Sequence, residues 1–80
     1  MDNNRLKLVK NESFTNLITS IVGKKCQFTS TCEFFPNFNV QGLVHSYYIK
    51  GNELIFKMKT LSGKNIDIGS NMKELKYRVL

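Results

Sequence analysis

The chain has 80 residues, 41% of them hydrophobic, with 12 Lys+Arg against 6 Asp+Glu for a net charge of +6. That fits one small domain and excludes a cofactor domain joined to a substrate domain. No run approaches the ~18 apolar residues of a membrane-spanning helix, and the polar start from Met1 to Lys10 holds no apolar signal core, so a cytoplasmic protein is expected.

Residues 1–10 read as a flexible arm, with Leu6, Leu8 and Val9 as material for a short strand. Residues 11–22 read as a helix, because Phe14, Leu17, Ile18, Ile21 and Val22 recur on one face at helical spacing. Asn11 or Ser13 supplies the N-cap, and Gly23 the left-handed residue that ends a helix. The opposite face offers Thr15, Asn16 and Thr19, with no Lys or Arg to meet lipid headgroups, so the stripe is assigned to core packing.

Residues 25–80 read as a small β-barrel. From Lys25 to Glu33 the period falls to two, and Cys26, Phe28 and Cys32 share a face. The two cysteines are too few for a disulfide-rich scaffold and, with the single His45, complete no zinc site. They read as buried or half-buried thiols, and no metal or cofactor is expected. On one unbroken strand they lie about 20 Å apart, beyond disulfide reach. Phe34 to Asn39 reads as an aromatic loop, Val40 to Ile49 as a strand, Gly51-Asn52 as a hairpin turn, and Glu53 to Thr60 as the next strand.

A two-residue turn pairs Lys50 with Glu53, Ile49 with Leu54, Tyr47 with Phe56 and His45 with Met58. Leu43, His45, Tyr47, Ile49, Leu54, Phe56 and Met58 then face inward. Val44, Ser46, Tyr48, Ile55, Lys57 and Lys59 form a basic outer face. A three-residue loop, Leu61-Ser62-Gly63, pairs Met58 with Ile66, Phe56 with Ile68 and Lys57 with Asp67. Gly69 to Met72 ends that strand, Met72 to Leu75 suits a single helical turn, and Lys76 to Leu80 is a last strand with Tyr77 and Val79 on one face. Five short strands with tight connections must curl to bury one core. The expected fold is therefore mainly β, a small five-stranded, strongly bent barrel preceded by one N-terminal α-helix.

Catalysis finds little material. His45 has no acid placed to orient it, the acids show no paired-carboxylate spacing, and no glycine-rich phosphate loop occurs, so the protein is read as a non-enzymatic binding module. Basic charge is the stronger signal. Residues 43–80 hold seven cations (Lys50, Lys57, Lys59, Lys64, Lys73, Lys76, Arg78) against three acids. Lysines neutralise phosphate and release counterions, while tyrosine offers a stacking surface to an unpaired base. Tyr48, diagonal to Lys57, supplies both. The candidate nucleic-acid site is Lys24, Lys25, Tyr48, Lys50, Asn52, Lys57 and Lys59, for RNA before DNA. Lysines at alternate strand positions also serve as a solvated, edge-protecting face. The alternative is a protein–protein interaction module or small inhibitor. It would use Phe34, Phe35 and Phe38 around Pro36 as an anchor if they are exposed, or as a barrel cap if they turn inward.

Leu17 to Lys25 (LITSIVGKK) resembles the helix-to-first-strand entry of the Sm and Sm-like RNA-binding family. Gly42 resembles the glycine of the first Sm motif, and Asn52 falls where that family places its RNA-contacting loop asparagine. Ile68-Gly69-Ser70-Asn71-Met72 resembles the second motif. Tyr48 stands where the first motif has its acidic residue, and the second motif's arginine is missing between Ile68 and Gly69. The strand layout is similar also to Src-homology-3-like barrels, which bind peptides, nucleic acid or ribosomal partners. The Sm resemblance implies RNA binding and a homo-oligomer closed by strand pairing at the barrel edges; the Src-homology-3-like one implies a monomer.

Overall fold

The apolar alternation that runs through most of the chain folds into one antiparallel sheet in the computed structural model, which describes residues 5–32 and 35–80. The strands are β1 (Lys7–Leu8), β2 (Lys25–Cys32), β3 (Phe35–Lys50), β4 (Glu53–Thr60), β5 (Asn65–Gly69) and β6 (Lys76–Val79). Their spatial order is β1-β6-β2-β3-β4-β5. A 3-10 turn at Val9–Asn11 and the helix α1 (Phe14–Ile21) precede β2.

β3 is the axis of the fold. Its first half pairs with β2 and its second half with β4, and only Gly42 and Leu43 pair with both. Phe28 of β2 lies opposite Val40, and Phe56 of β4 opposite Tyr47, seven residues further along β3. In a flat sheet those partners would be separated by about 23 Å of strand. The two rings instead lie 5.8 Å apart, centroid to centroid. β3 is therefore bent sharply, so that the two half-sheets face each other across one core of Phe28, Val44, Phe56, Met58, Ile68 and Tyr77, with Leu17 and Ile21 of α1 fully buried against it. The bend requires Gly42: a Cβ there would sit 2.2 Å from the carbonyl oxygen of Lys59.

The two tight connections form as their residues dictate. Lys50 faces Glu53 across Gly51-Asn52, with Gly51 at φ 61°, and Met58 faces Ile66 across Leu61-Ser62-Gly63, with Gly63 at φ 87°. Ser13 is the N-cap of α1, its Oγ accepting from the Asn16 N–H at 3.1 Å, and Gly23 at φ 85° ends the helix.

Several expectations are corrected. The sheet has six strands rather than five and is not a closed barrel. Among the described residues β5 pairs only with β4. β6 pairs with β2 on one edge, and on the other β1 rather than β5 pairs with Lys76 and Tyr77. The strand Lys7–Leu8 within the expected arm supplies that pairing. Val9 enters the core, its N–H donating to the Leu75 carbonyl at 2.9 Å.

The expected β3–β4 register holds for residues 46–50 but then shifts, because Val44 rather than His45 faces Met58. His45 is the extra residue of a bulge and is exposed. Val44 consequently points inward and Leu43 outward, 45% exposed, the reverse of the expected faces. Tyr47 and Ile49 keep the register but lie beyond the core and stay exposed. The expected loop over residues 34–39 is strand from Phe35 onward, since the β2 ladder continues past Val40 to Asn39 and Phe38. Pro36, with no N–H to give, sits where that register slips. Residues 69–75 form two linked turns, and the second, over 72–75, is not helical because Glu74 is left-handed at φ 52°.

Candidate nucleic-acid interface

Strand pairing decides which of the candidate residues meet. Lys25 faces Leu43, Leu43 faces Lys59 and Lys59 faces Asn65, a single cross-strand row over four strands. Directly opposed residues share a face, so two lysines flank an exposed leucine on the outer surface. The next row toward the β3–β4 turn is Ser46, Lys57 and Asp67, and the one after it Tyr48, Ile55 and Gly69. Lys59 and Lys57, two residues apart on β4, therefore stand on one face with Lys25 and Tyr48.

Tyr48 is held across β4. Its hydroxyl donates to Asp67 Oδ2 at 3.1 Å, and Lys57 Nζ lies 5.8 Å from the ring centroid. The bond to Asp67 is the main reason the phenol is pushed above its ordinary value. The ring belongs to a groove of about 470 Å³ walled also by Phe38, Lys50, Glu53, Ile55 and Met72. Ile55, though on the outer face, is only 7% exposed. A second groove of about 580 Å³ also has Phe38 in its wall, with Val40, Leu61, Lys64 and Ile66.

Lys50 shares the first groove with Tyr48, seven residues of β3 and roughly 23 Å of extended strand from Leu43. The remaining candidates are not brought together with these, and Asn52 is exposed at the turn. Lys24 is exposed, and its carbonyl accepts the Val44 N–H at 3.0 Å. It precedes β2 and has no place in the cross-strand row. Of the aromatic cluster, Phe34 lies outside the described residues, only the backbone of Phe35 is described, and Phe38 is half-buried against the core.

Sequence reasoning missed the row beyond Lys25, in which Arg78 faces Gln27 and Gln27 faces Gln41. Gln27 Nε2 donates to Asn39 Oδ1 at 2.9 Å, and its buried Oε1 has no partner among the described residues. The alternation that puts Cys26 and Phe28 on one face of this strand puts Gln27 and Thr29 on the other. What joins Arg78 to it is the β2–β6 pairing, which spans some fifty residues of chain and leaves no local signal.

No family model, curated protein or solved structure matches this chain. Among the described residues no helix is long and apolar enough to cross a membrane.

Proposed function

We propose that this chain is a non-catalytic module that binds single-stranded nucleic acid, RNA before DNA, on the outer face of a small Sm-like or Src-homology-3-like barrel that is left open between β5 and β6. The observation that carries the reading is the row Lys25–Leu43–Lys59–Asn65, with Lys57 and Tyr48 beside it. Lysines anchored on neighbouring strands hold phosphates at fixed separations, and the exposed Leu43 and Tyr48 side chains offer apolar contact to bases. The net charge of +6 favours the same class of partner.

Fluorescence anisotropy with a short single-stranded RNA, the matched DNA and a duplex, each at two salt concentrations, tests this. Binding should favour the single strands, and the double variant Lys25→Gln with Lys59→Gln should flatten the log-salt slope by about 1.4, the contribution of two phosphates. Unchanged affinity and slope in that variant would refute the reading.

The two grooves that share Phe38 favour a second reading, a protein-interaction module whose partner inserts apolar side chains into them. Phe38→Ala would then abolish partner binding while leaving the salt slope for RNA unchanged.

A further inference from the structure

Among the described residues the exposed edges of the sheet are not equally protected. β1 is two residues long, and β5 is five residues long and carries Asp67 opposite Lys57. Short edges and charged residues are the usual guards against pairing with another chain. β3 adds two half-edges, one along residues 35–40, which pair with β2 alone, and one along its second half. Beyond Val44 no strand among the described residues pairs with the side of β3 that faces away from β4. Its sequence there is Ser46-Tyr47-Tyr48-Ile49, uncharged and rich in strand-forming residues. Tyr47 is 43% exposed and Ile49 54%.

Backbone geometry says which groups this edge offers. Across a two-residue hairpin turn the flanking residues, here Lys50 and Glu53, exchange hydrogen bonds, and bonded and non-bonded pairs alternate from there. Tyr48 and Ser46 therefore direct their N–H and C=O toward β4. Tyr47 and Ile49 direct theirs outward.

We propose that two copies of this chain pair antiparallel through this edge, about a two-fold axis at Tyr48. In that register Tyr47 exchanges backbone hydrogen bonds with Ile49 of the other copy, and Ile49 with its Tyr47. Tyr48 meets Tyr48 as a non-bonded pair. The edge is self-complementary: an aromatic faces a β-branched residue twice, a favourable cross-strand combination. Lys50 falls opposite Ser46 of the other copy, so no lysine opposes a lysine although each copy carries a net +6. A second copy is the occupant we assign, because the segment is complementary to itself in shape and carries no like-charge contact in this register. The two-fold runs perpendicular to the sheet, which puts Lys57, Lys59 and Tyr48 of both copies on one continuous face.

Sedimentation equilibrium without nucleic acid tests this independently of the RNA reading. The wild type should approach twice 9.2 kDa as concentration rises. Ile49→Pro removes an outward N–H and no bond to β4, and it should leave a folded monomer by circular dichroism. Should that variant unfold, Ile49→Lys keeps the N–H but sets a cation at the contact and should weaken association by about tenfold or more. Oxidation locates the register. Tyr48→Cys places two thiols across a non-bonded pair, with Cα atoms about 4.5 Å apart and within disulfide reach. It should give a cross-linked dimer that the wild type, with Cys26 and Cys32 alone, does not. Tyr47→Cys, diagonal to its own copy at about 7–8 Å, should cross-link far less. A monomeric mass at every concentration would overturn the proposal. So would a folded Ile49→Pro that remains dimeric, a dimer indifferent to Ile49→Lys, or cross-linking stronger from Tyr47→Cys than from Tyr48→Cys.

Discussion

β3 is fixed at its end by residues beside it and at its middle by residues far away. At the end, Gly51 and Asn52 make a turn that sets the pairing of residues 46–50 with 53–57. At the middle, Gly42 faces Cys26 on one edge and Thr60 on the other, and its missing side chain is what lets β4 approach. The extra residue His45 then resets which side chains enter the core. One glycine acts through backbone conformation and the other through volume. The first kind is written in the local sequence, while the second depends on the packing of two half-sheets.

The largest expected effect breaks the middle. In Gly42→Ala the new Cβ meets backbone atoms of Lys59 and Thr60, which cannot move without moving β4. The expected cost is about 3 kcal/mol or more, enough to unfold much of a marginal domain. Thermal melts followed by circular dichroism would measure it. Deleting His45 comes next. The deletion keeps Val44 opposite Met58 and Leu43 opposite Lys59 but removes the extra residue that helps bend β3, and should cost about 1–3 kcal/mol. His45→Ala keeps the bulge and changes only an exposed side chain, so it should stay within about 0.5 kcal/mol of wild type. Equal stability of the deletion and the alanine variant would remove the bulge from the explanation.

A smaller effect reports on the same place through pH. Cys26, opposite Gly42, is fully buried, with its thiol donating toward the Ile21 and Lys24 carbonyls. Burial raises its pKa from 9.0 to about 11, against a weaker lowering by Lys24. An unfolded thiol ionises near 9.0 while the folded one keeps its proton to about 11, so over that interval the folded state binds more protons. The contribution of this thiol to stability is therefore level below pH 9 and falls as pH rises toward 11. Burial also raises the phenol of Tyr77, with its hydrogen bond to Glu12 as the second cause, which adds a decline above that group's ordinary value of 10.0. Cys26→Val should remove the earlier onset and leave the later one, as read from denaturant midpoints across this range. An unchanged onset would mean that the thiol does not titrate with unfolding.

The parts legible in the sequence are those whose cause is local. The apolar stripe from Phe14 to Val22, the Ser13 cap, both glycine turns and the pairing of Lys57 with Asp67 all follow from residues within a few positions of one another. The bulge at His45 was not legible, because alternation reads equally well in either register until Val44 and Leu43 must choose a side. The sixth strand was marked only by Leu6, Leu8 and Val9, too short a run to distinguish a strand from an arm. The candidate site divides the same way. Lys57, Lys59 and Tyr48 share a hairpin and could be placed on one face from its turn alone, whereas Lys25 and Arg78 reach that face through pairings that the bend creates.

The smallest expected effect tests the end of β3 with the substitution that breaks its middle. Gly51 and Gly63 both have positive φ, and an added Cβ at either would meet nothing within 4 Å. Alanine there pays only for the left-handed backbone, about 1 kcal/mol, which corresponds to a loss of about 4–8 °C in a domain of this size. Asparagine tolerates that conformation better, so Gly51→Asn should recover part of the loss. At Gly42 asparagine should be no better than alanine, since the obstacle there is the Lys59 carbonyl rather than the sign of φ. A rescue by asparagine at Gly51 but not at Gly42, both read from melting temperatures, separates conformation from volume within one strand. Rescue at both positions would mean that the bend, too, is held by local backbone preference.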